Sequence, residues 1–145
     1  MSRLDLDRSM RITTEAFQKS EELNASPLSV AILDAGGKLI SLQRQDGASM
    51  MRPEIAIAKA WGAVAMGKSS RSLGEDAQQR PSFVSALNTL AQGNLIPVAG
   101  GVLIRGPEGE VLGAVGISGD TSDIDEQCAI FGVEAAGLCV DAVAA

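Results

Sequence analysis

Residues 96–119, IPVAGGVLIRGPEGEVLGAVGISG, decide how this chain folds. Apolar, β-branched runs stand on either side of Gly106-Pro107-Glu108-Gly109, a turn composition. The segment therefore predicts a hairpin with strands near 101–105 and 110–117. Glycines inside the second strand suggest that another piece of backbone comes close to it. Gly100-Gly101 predicts a bulge or a ligand-facing turn.

A matching hairpin lies upstream. Leu28 to Leu33 is an apolar run, Asp34-Ala35-Gly36-Gly37 a turn, and Lys38 to Arg44 an alternating strand. Helices fill the rest. Residues 5–23 carry Leu6, Met10, Thr13, Phe17 and Ser20 on one face. Pro53 suits the first turn of a helix over 53–66, PEIAIAKAWGAVAM, which is apolar nearly all round and so predicted to be buried. Two short helices, 71–79 and 82–91, break at Arg80-Pro81. A last helix runs from a Ser122 cap to about 143, with Ile124, Cys128, Phe131, Ala135, Leu138 and Ala142 as its stripe. The expected fold class is α/β in the α+β sense: one antiparallel sheet built from two hairpins, with helices packed around it, as a single domain over 1–145.

Bulk composition narrows the function. The 145 residues are 46% hydrophobic and 21% charged, with a net charge of −6. That is a globular composition. It lacks the basic stripe of a nucleic-acid binder; Lys68, Arg71 and Arg80 are sparse. No apolar run reaches membrane-spanning length, and the first residues lack a secretory signal's apolar stretch. Two cysteines, Cys128 and Cys139, fall roughly 16 Å apart if one helix holds both, too far to pair with each other. Free thiols in a reducing compartment, the cytoplasm, are the expectation. With no histidine and no tyrosine, Ser-His-Asp and Cys-His catalysis, His-dependent zinc sites and His- or Tyr-ligated haem are excluded. No metal site is expected.

Lys59 stands amid Ile57, Ala58, Ala60 and Trp61. Either its stem lies on the surface with the ammonium in water, or it is a partly buried cation that needs a carboxylate partner or ligand. Arg44 and Asp46 end the second strand, as an exposed ion pair or as an anion-binding fork. Asp125 and Glu126 suit the first turn of the last helix, from which Glu126 can also meet Lys59. Gly100, Gly101, Gly116, Ser118 and Gly119 can form a backbone cradle near that helix start, where N–H groups suit an anion. Trp61, the only tryptophan, belongs to the core or to a contact between copies.

AILDAGGKLISLQRQDGA with its Arg-x-Asp-Gly ending, IAIAKAWGAV, PVAGGVLI and GEVLGAVGISGDTSDIDEQCA resemble, in this order and over nearly the whole chain, the GlcG/HbpS-like family. The resemblance implies a somewhat profilin-like α/β fold, homo-oligomers, and haem binding or degradation. Related domains stand beside corrinoid adenosyltransferases, and others are encoded in operons for small organic acids or diols. For haem, an axial ligand here would have to come from Met10, Met50, Met51, Met66, Cys128 or Cys139. The expected function is an oligomeric small-molecule-binding protein taking a tetrapyrrole or a small anionic metabolite near Arg44, Asp46, Lys59, Gly100, Gly101, Ser118, Gly119, Asp125 and Glu126. The alternative is a small cofactor-free catabolic enzyme with Lys59 as base or anchor and Glu126 or Asp46 as partner. A third reading is an accessory subunit.

Overall fold

The computed structural model describes residues 4–141. Along them run α1 (Leu6–Glu22), β1 (Ser29–Asp34), β2 (Leu39–Arg44), α2 (Arg52–Met66), α3 (Ser70–Gln79), α4 (Pro81–Leu90), β3 (Gly101–Arg105), β4 (Val111–Ser118) and α5 (Ser122–Ala135). The two hairpins join through their inner strands, giving the sheet order β2-β1-β4-β3 with every pair antiparallel. In the first turn Asp34 Oδ1 accepts from the N–H groups of Gly36 and Lys38, which closes the β1–β2 connection.

Alternation along the strands sorts side chains onto two faces. Val30, Ile32, Val102, Ile104, Val115 and Ile117 meet Ile12 and Ala16 of α1 and Cys128, Ala129 and Val133 of α5. Ile32, Ile104 and Ile117 are wholly buried, each stabilising the fold by about 1.5–3 kcal/mol. On the opposite face Leu33, Leu103 and Ala114 pack against Ala60 and Ala63 of α2.

That second face is built for close approach. Ala31, Gly116 and Gly101 lie in register across β1, β4 and β3. A methyl group at Gly116 would strike the carbonyl oxygen of Ala56, and one at Gly101 would strike that of Lys59. The backbone of α2 therefore rests on the sheet itself, which explains Gly116 of β4, Gly101 of β3 and the alanines of α2.

Three expectations need correction. The buried face of α1 is Ser9, Ile12, Thr13, Ala16 and Ser20, while Leu6 is 57% exposed. The cause is α5: Gly132 sits so close to the Ile12 carbonyl that small residues must line the contact, displacing the larger ones to the flank. Second, α5 stops at Ala135. Gly137 takes φ +81°, and the N–H groups of Gly137 and Leu138 return to the carbonyls of Glu134 and Val133, a Schellman ending. Cys139 then exchanges both backbone hydrogen bonds with Arg105, so the helical spacing of the two cysteines does not apply; Ala142 and the expected last residues of the helix lie outside the described residues. Third, the cap of α5 is Thr121, not Ser122: Thr121 Oγ1 accepts from the Ile124 N–H at 3.3 Å.

Candidate functional site

The seating of α2 drives Lys59 inward until it is 2% exposed. Its ammonium donates to the Ile117 carbonyl at 2.9 Å and to Asp125 Oδ2 at 3.2 Å. Asp125 Oδ1 in turn accepts from the Asp120 N–H at 2.9 Å. Gly100, at φ +129°, closes over the amine; a Cβ there would lie 2.7 Å from Nζ. Burial pushes the Lys59 amine below its usual value, against the pull of Asp125. Burial likewise raises the Asp125 carboxyl, opposed by the Asp120 N–H and by Lys59. Both partners are thus pressed toward neutrality. Because α2 and α5 lie on opposite faces of the sheet, the pair clamps the two layers together past the end of β4.

Glu126, one residue along, turns to a different cation. Arg71 Nε sits 3.0 Å from both Glu126 oxygens, and its Nη2 pairs with Asp123. Hydrogen bonds to Asp123 first and Glu126 second raise the guanidinium pKa. This cluster walls a cleft of about 210 Å³ floored by Val102, Leu103 and Ile130. Lys68 on its rim is paired with Asp76, so both cations of the cleft already have carboxylates.

Arg44 and Asp46 lie elsewhere, in a shallow polar cleft of about 500 Å³ with Ser20, Glu21 and Gln45. Arg44 is paired in register with Ser29, and Ser29 with Ser118, so two strand spacings, about 10 Å, separate Arg44 from Ser118. Ser118 is wholly buried and its Oγ accepts from Arg52 Nη1 at 3.1 Å. Gly119 is pressed against the Pro27 carbonyl. The expected cradle of Gly100, Gly101 and Gly119 is therefore filled by the chain's own backbone and by Lys59.

The nine expected residues fall into separate places: a clamp (Lys59, Asp125, with Gly100 and Gly101 against it), a cleft (Glu126), a strand end (Arg44, Asp46) and a helix start (Ser118, Gly119). The sequence pattern pairs Glu126 with Lys59; the structure pairs Asp125 with it. In the sequence Arg71 is only a scattered positive charge, and Ser29 and Arg52 do not stand out. Ser29 has a signal nonetheless, a hydroxyl opening the otherwise apolar run Ser29–Leu33. Arg52 has one too, standing beside the Pro53 that starts α2.

A four-stranded antiparallel sheet with α2 on one face and α1 and α5 on the other, clamped by a Lys–Asp pair, defines the class. The chain belongs to the HbpS-like family: residues 4–134 match the family described as "Haem degrading protein HbpS-like". It is 33% identical over 115 residues to the corrinoid adenosyltransferase PduO of Citrobacter freundii, covering 79% of this chain and 33% of that protein; the chain thus spans about a third of that relative. It is 30% identical over 107 residues to a 15.0 kDa protein of the dhaT-dhaS intergenic region of Citrobacter freundii, covering 74% of this chain and 73% of the other. A crystal structure of a PduOC:heme complex superposes with a TM-score of 0.85 at 27% identity, covering 94% of this chain and 97% of that one.

The family implies haem, so the donor set matters. Cys128 is wholly buried in the core, where burial pushes its thiol up to about 11. Cys139 is exposed. Met10 Sδ accepts from Ser41 Oγ at 3.4 Å. Met66 is half-buried at the end of α2, and Met50 and Met51 are 81% and 58% exposed. None of the clefts described has a Met or Cys in its wall. Among the described residues no group of three His, Cys, Asp or Glu gathers as a metal site. The described residues of one copy form no pocket that grips haem through its iron. No helix among the described residues is long and apolar enough to cross a membrane.

Proposed function

We propose that this protein is a small-molecule-binding domain whose ligand carries carboxylates, with a haem-type tetrapyrrole as the first candidate, held by its periphery rather than by its iron. The likeness to the PduOC:heme complex over 94% of the chain supports the ligand class. The donor set supports the mode of binding, since an apolar macrocycle with two acid groups can be bound by apolar contact and cations without an axial ligand. The outward face of α2 offers the apolar contact: Met50 and Met51 are exposed just before it, and Ile57 and Trp61 line a cleft of about 240 Å³ on it.

Lys59 as a catalytic base is the weaker reading, because the amine is sealed and already bonded to Asp125 and Ile117.

The functional form on this reading is a homo-oligomer joined through α4. Among the described residues that helix packs on no other helix or strand than α3, and its Phe83 and Leu90 are 40% and 81% exposed. Pro81 through Ile104 carries no charged side chain. Copies of a chain with net charge −6 repel least across such a surface. The mass in solution, a multiple of 14.9 kDa, tests this.

Titration with haemin and with iron-free protoporphyrin IX, followed by Trp61 fluorescence and absorbance, tests the ligand. Both are expected to saturate with similar affinity, and Met50→Ala with Met51→Ala is expected to leave the haemin spectrum unchanged. Haemin binding alone, or a Soret band that depends on either methionine, would overturn the peripheral mode. Binding of neither would overturn the tetrapyrrole.

A further inference from the structure

The start of α2 has features that the clamp and the Arg71 cleft lack. Its cap position is Met51, which has no side-chain oxygen, and no side chain caps the helix. The 15-residue helix therefore begins without a side-chain cap, Glu54 in its first turn being the one acidic residue set against its dipole there. Arg52, its first residue, is half-buried. It pairs with no carboxylate among the described residues; its only side-chain hydrogen bond there is to Ser118 Oγ. A guanidinium has five N–H donors in a planar fork, so most of this one's capacity is unused.

Ser29 supplies an independent observation. It is wholly buried, and its Oγ has no hydrogen-bond partner. A buried hydroxyl left so is destabilising. Its place is defined by register. Ser29 pairs with Ser118 across β1 and β4, and directly opposed residues share a face with Cβ atoms about 5 Å apart. The orphan hydroxyl therefore stands beside the one Arg52 touches, under the start of α2. The nearest clamp contributes no net charge, since Lys59 and Asp125 offset each other. The Asp120 carboxylate nearby is taken up by the N–H groups of Ser26 and Thr121.

We propose that the uncapped start of α2, the Arg52 guanidinium and the hydroxyls of Ser29 and Ser118 form a carboxylate-binding subsite that receives one acid group of the ligand. This rests on the carboxylate-bearing ligand proposed above and adds where its acid group is held. Swinging Arg52 off Ser118 frees the hydroxyl it now holds, beside that of Ser29. The carboxylate then takes the guanidinium fork on one side and the two O–H donors on the other. A tetrapyrrole propionate and a small free organic acid share this chemistry.

The experiment uses the full chain with succinate, protoporphyrin IX and protoporphyrin IX dimethyl ester, read by amide and Arg Nε–H shifts and by Trp61 fluorescence. Succinate or protoporphyrin IX is expected to shift the Arg52 Nε–H and the Glu54 amide saturably. Arg52→Gln is expected to weaken that binding at least about tenfold, with partial rescue by Arg52→Lys, because a point charge replaces the fork. Ser29→Ala is the sharper variant. It removes an unsatisfied buried group, so the thermal midpoint should hold or rise while affinity falls. Binding of the acid but not of its dimethyl ester assigns the carboxylate to a tetrapyrrole; binding of succinate assigns it to a small acid. If protoporphyrin and its ester bind alike and neither Arg52→Gln nor Ser29→Ala matters, the subsite is overturned and the tetrapyrrole reading survives. If none of the three binds, both are overturned.

Discussion

Asp125 and Glu126 are neighbours on α5, yet they belong to different parts of the molecule. Asp125 points through the end of the sheet to Lys59, with side-chain exposures of 3% for the lysine and 1% for the aspartate. Glu126, turned about 100° around the helix, meets Arg71 at the mouth of a cleft, where the arginine side chain is 37% exposed. One pair is an internal fastener between layers; the other joins a buried glutamate, 8% exposed, to an arginine that reaches solvent. The difference shows that two buried carboxylates, one position apart, can serve different ends according to whether the cation each meets is buried or reaches solvent.

Breaking the internal pair should have the largest effect. Lys59→Ala or Asp125→Ala leaves a buried charge without its partner and is expected to cost about 3–5 kcal/mol in urea unfolding. Replacing both together, Lys59→Met with Asp125→Leu, is expected to be far milder, between neutral and about 4 kcal/mol stabilising. If the double variant is as damaged as the singles, the clamp contributes packing that apolar side chains cannot reproduce, and the contrast with Arg71 weakens. Arg71→Ala is expected to cost no more than about 1 kcal/mol, less at high salt. A loss as large as that of Asp125→Ala would erase the distinction between the two pairs.

Much of this arrangement is legible in the amino-acid sequence alone. The turn at Asp34–Gly37 and the one at Gly106–Gly109 define two hairpins, and a lysine inside an apolar, Ala-rich helix demands a partner. The identity of that partner is not legible. Which of two adjacent carboxylates faces inward depends on the phase of α5, and that phase is set by the Thr121 cap, with which Ser122 competes on equal terms in the sequence. The end of α5 is hidden for a related reason. Leu138 extends the apolar stripe and is buried, but it reaches the core from beyond the Gly137 turn. Arg52 and Ser29 escape because each is brought beside Ser118 by long-range packing, Ser29 through the β1–β4 register.

The smallest expected effect, a dependence on pH, also separates the two regions. Lys59 has its folded pKa lowered from 10.5 by burial. Its contribution to stability is therefore fully present above 10.5 and is lost as pH falls through the folded value. Asp125 has its folded pKa raised from 3.8. Its contribution is fully present below 3.8 and is lost as pH rises through the folded value. Between the two folded values both groups are charged in a buried place that disfavours charge. The stability of the parent minus that of the Lys59→Met, Asp125→Leu variant should therefore be lowest at mid-range and rise toward both ends. Urea midpoints of both proteins at about pH 4, 7 and 10 measure it. A difference that instead peaks near neutrality would mean that attraction between the two charges outweighs their burial. The clamp would then be a net source of stability rather than a fastener tolerated for the orientation it imposes on α2 and α5.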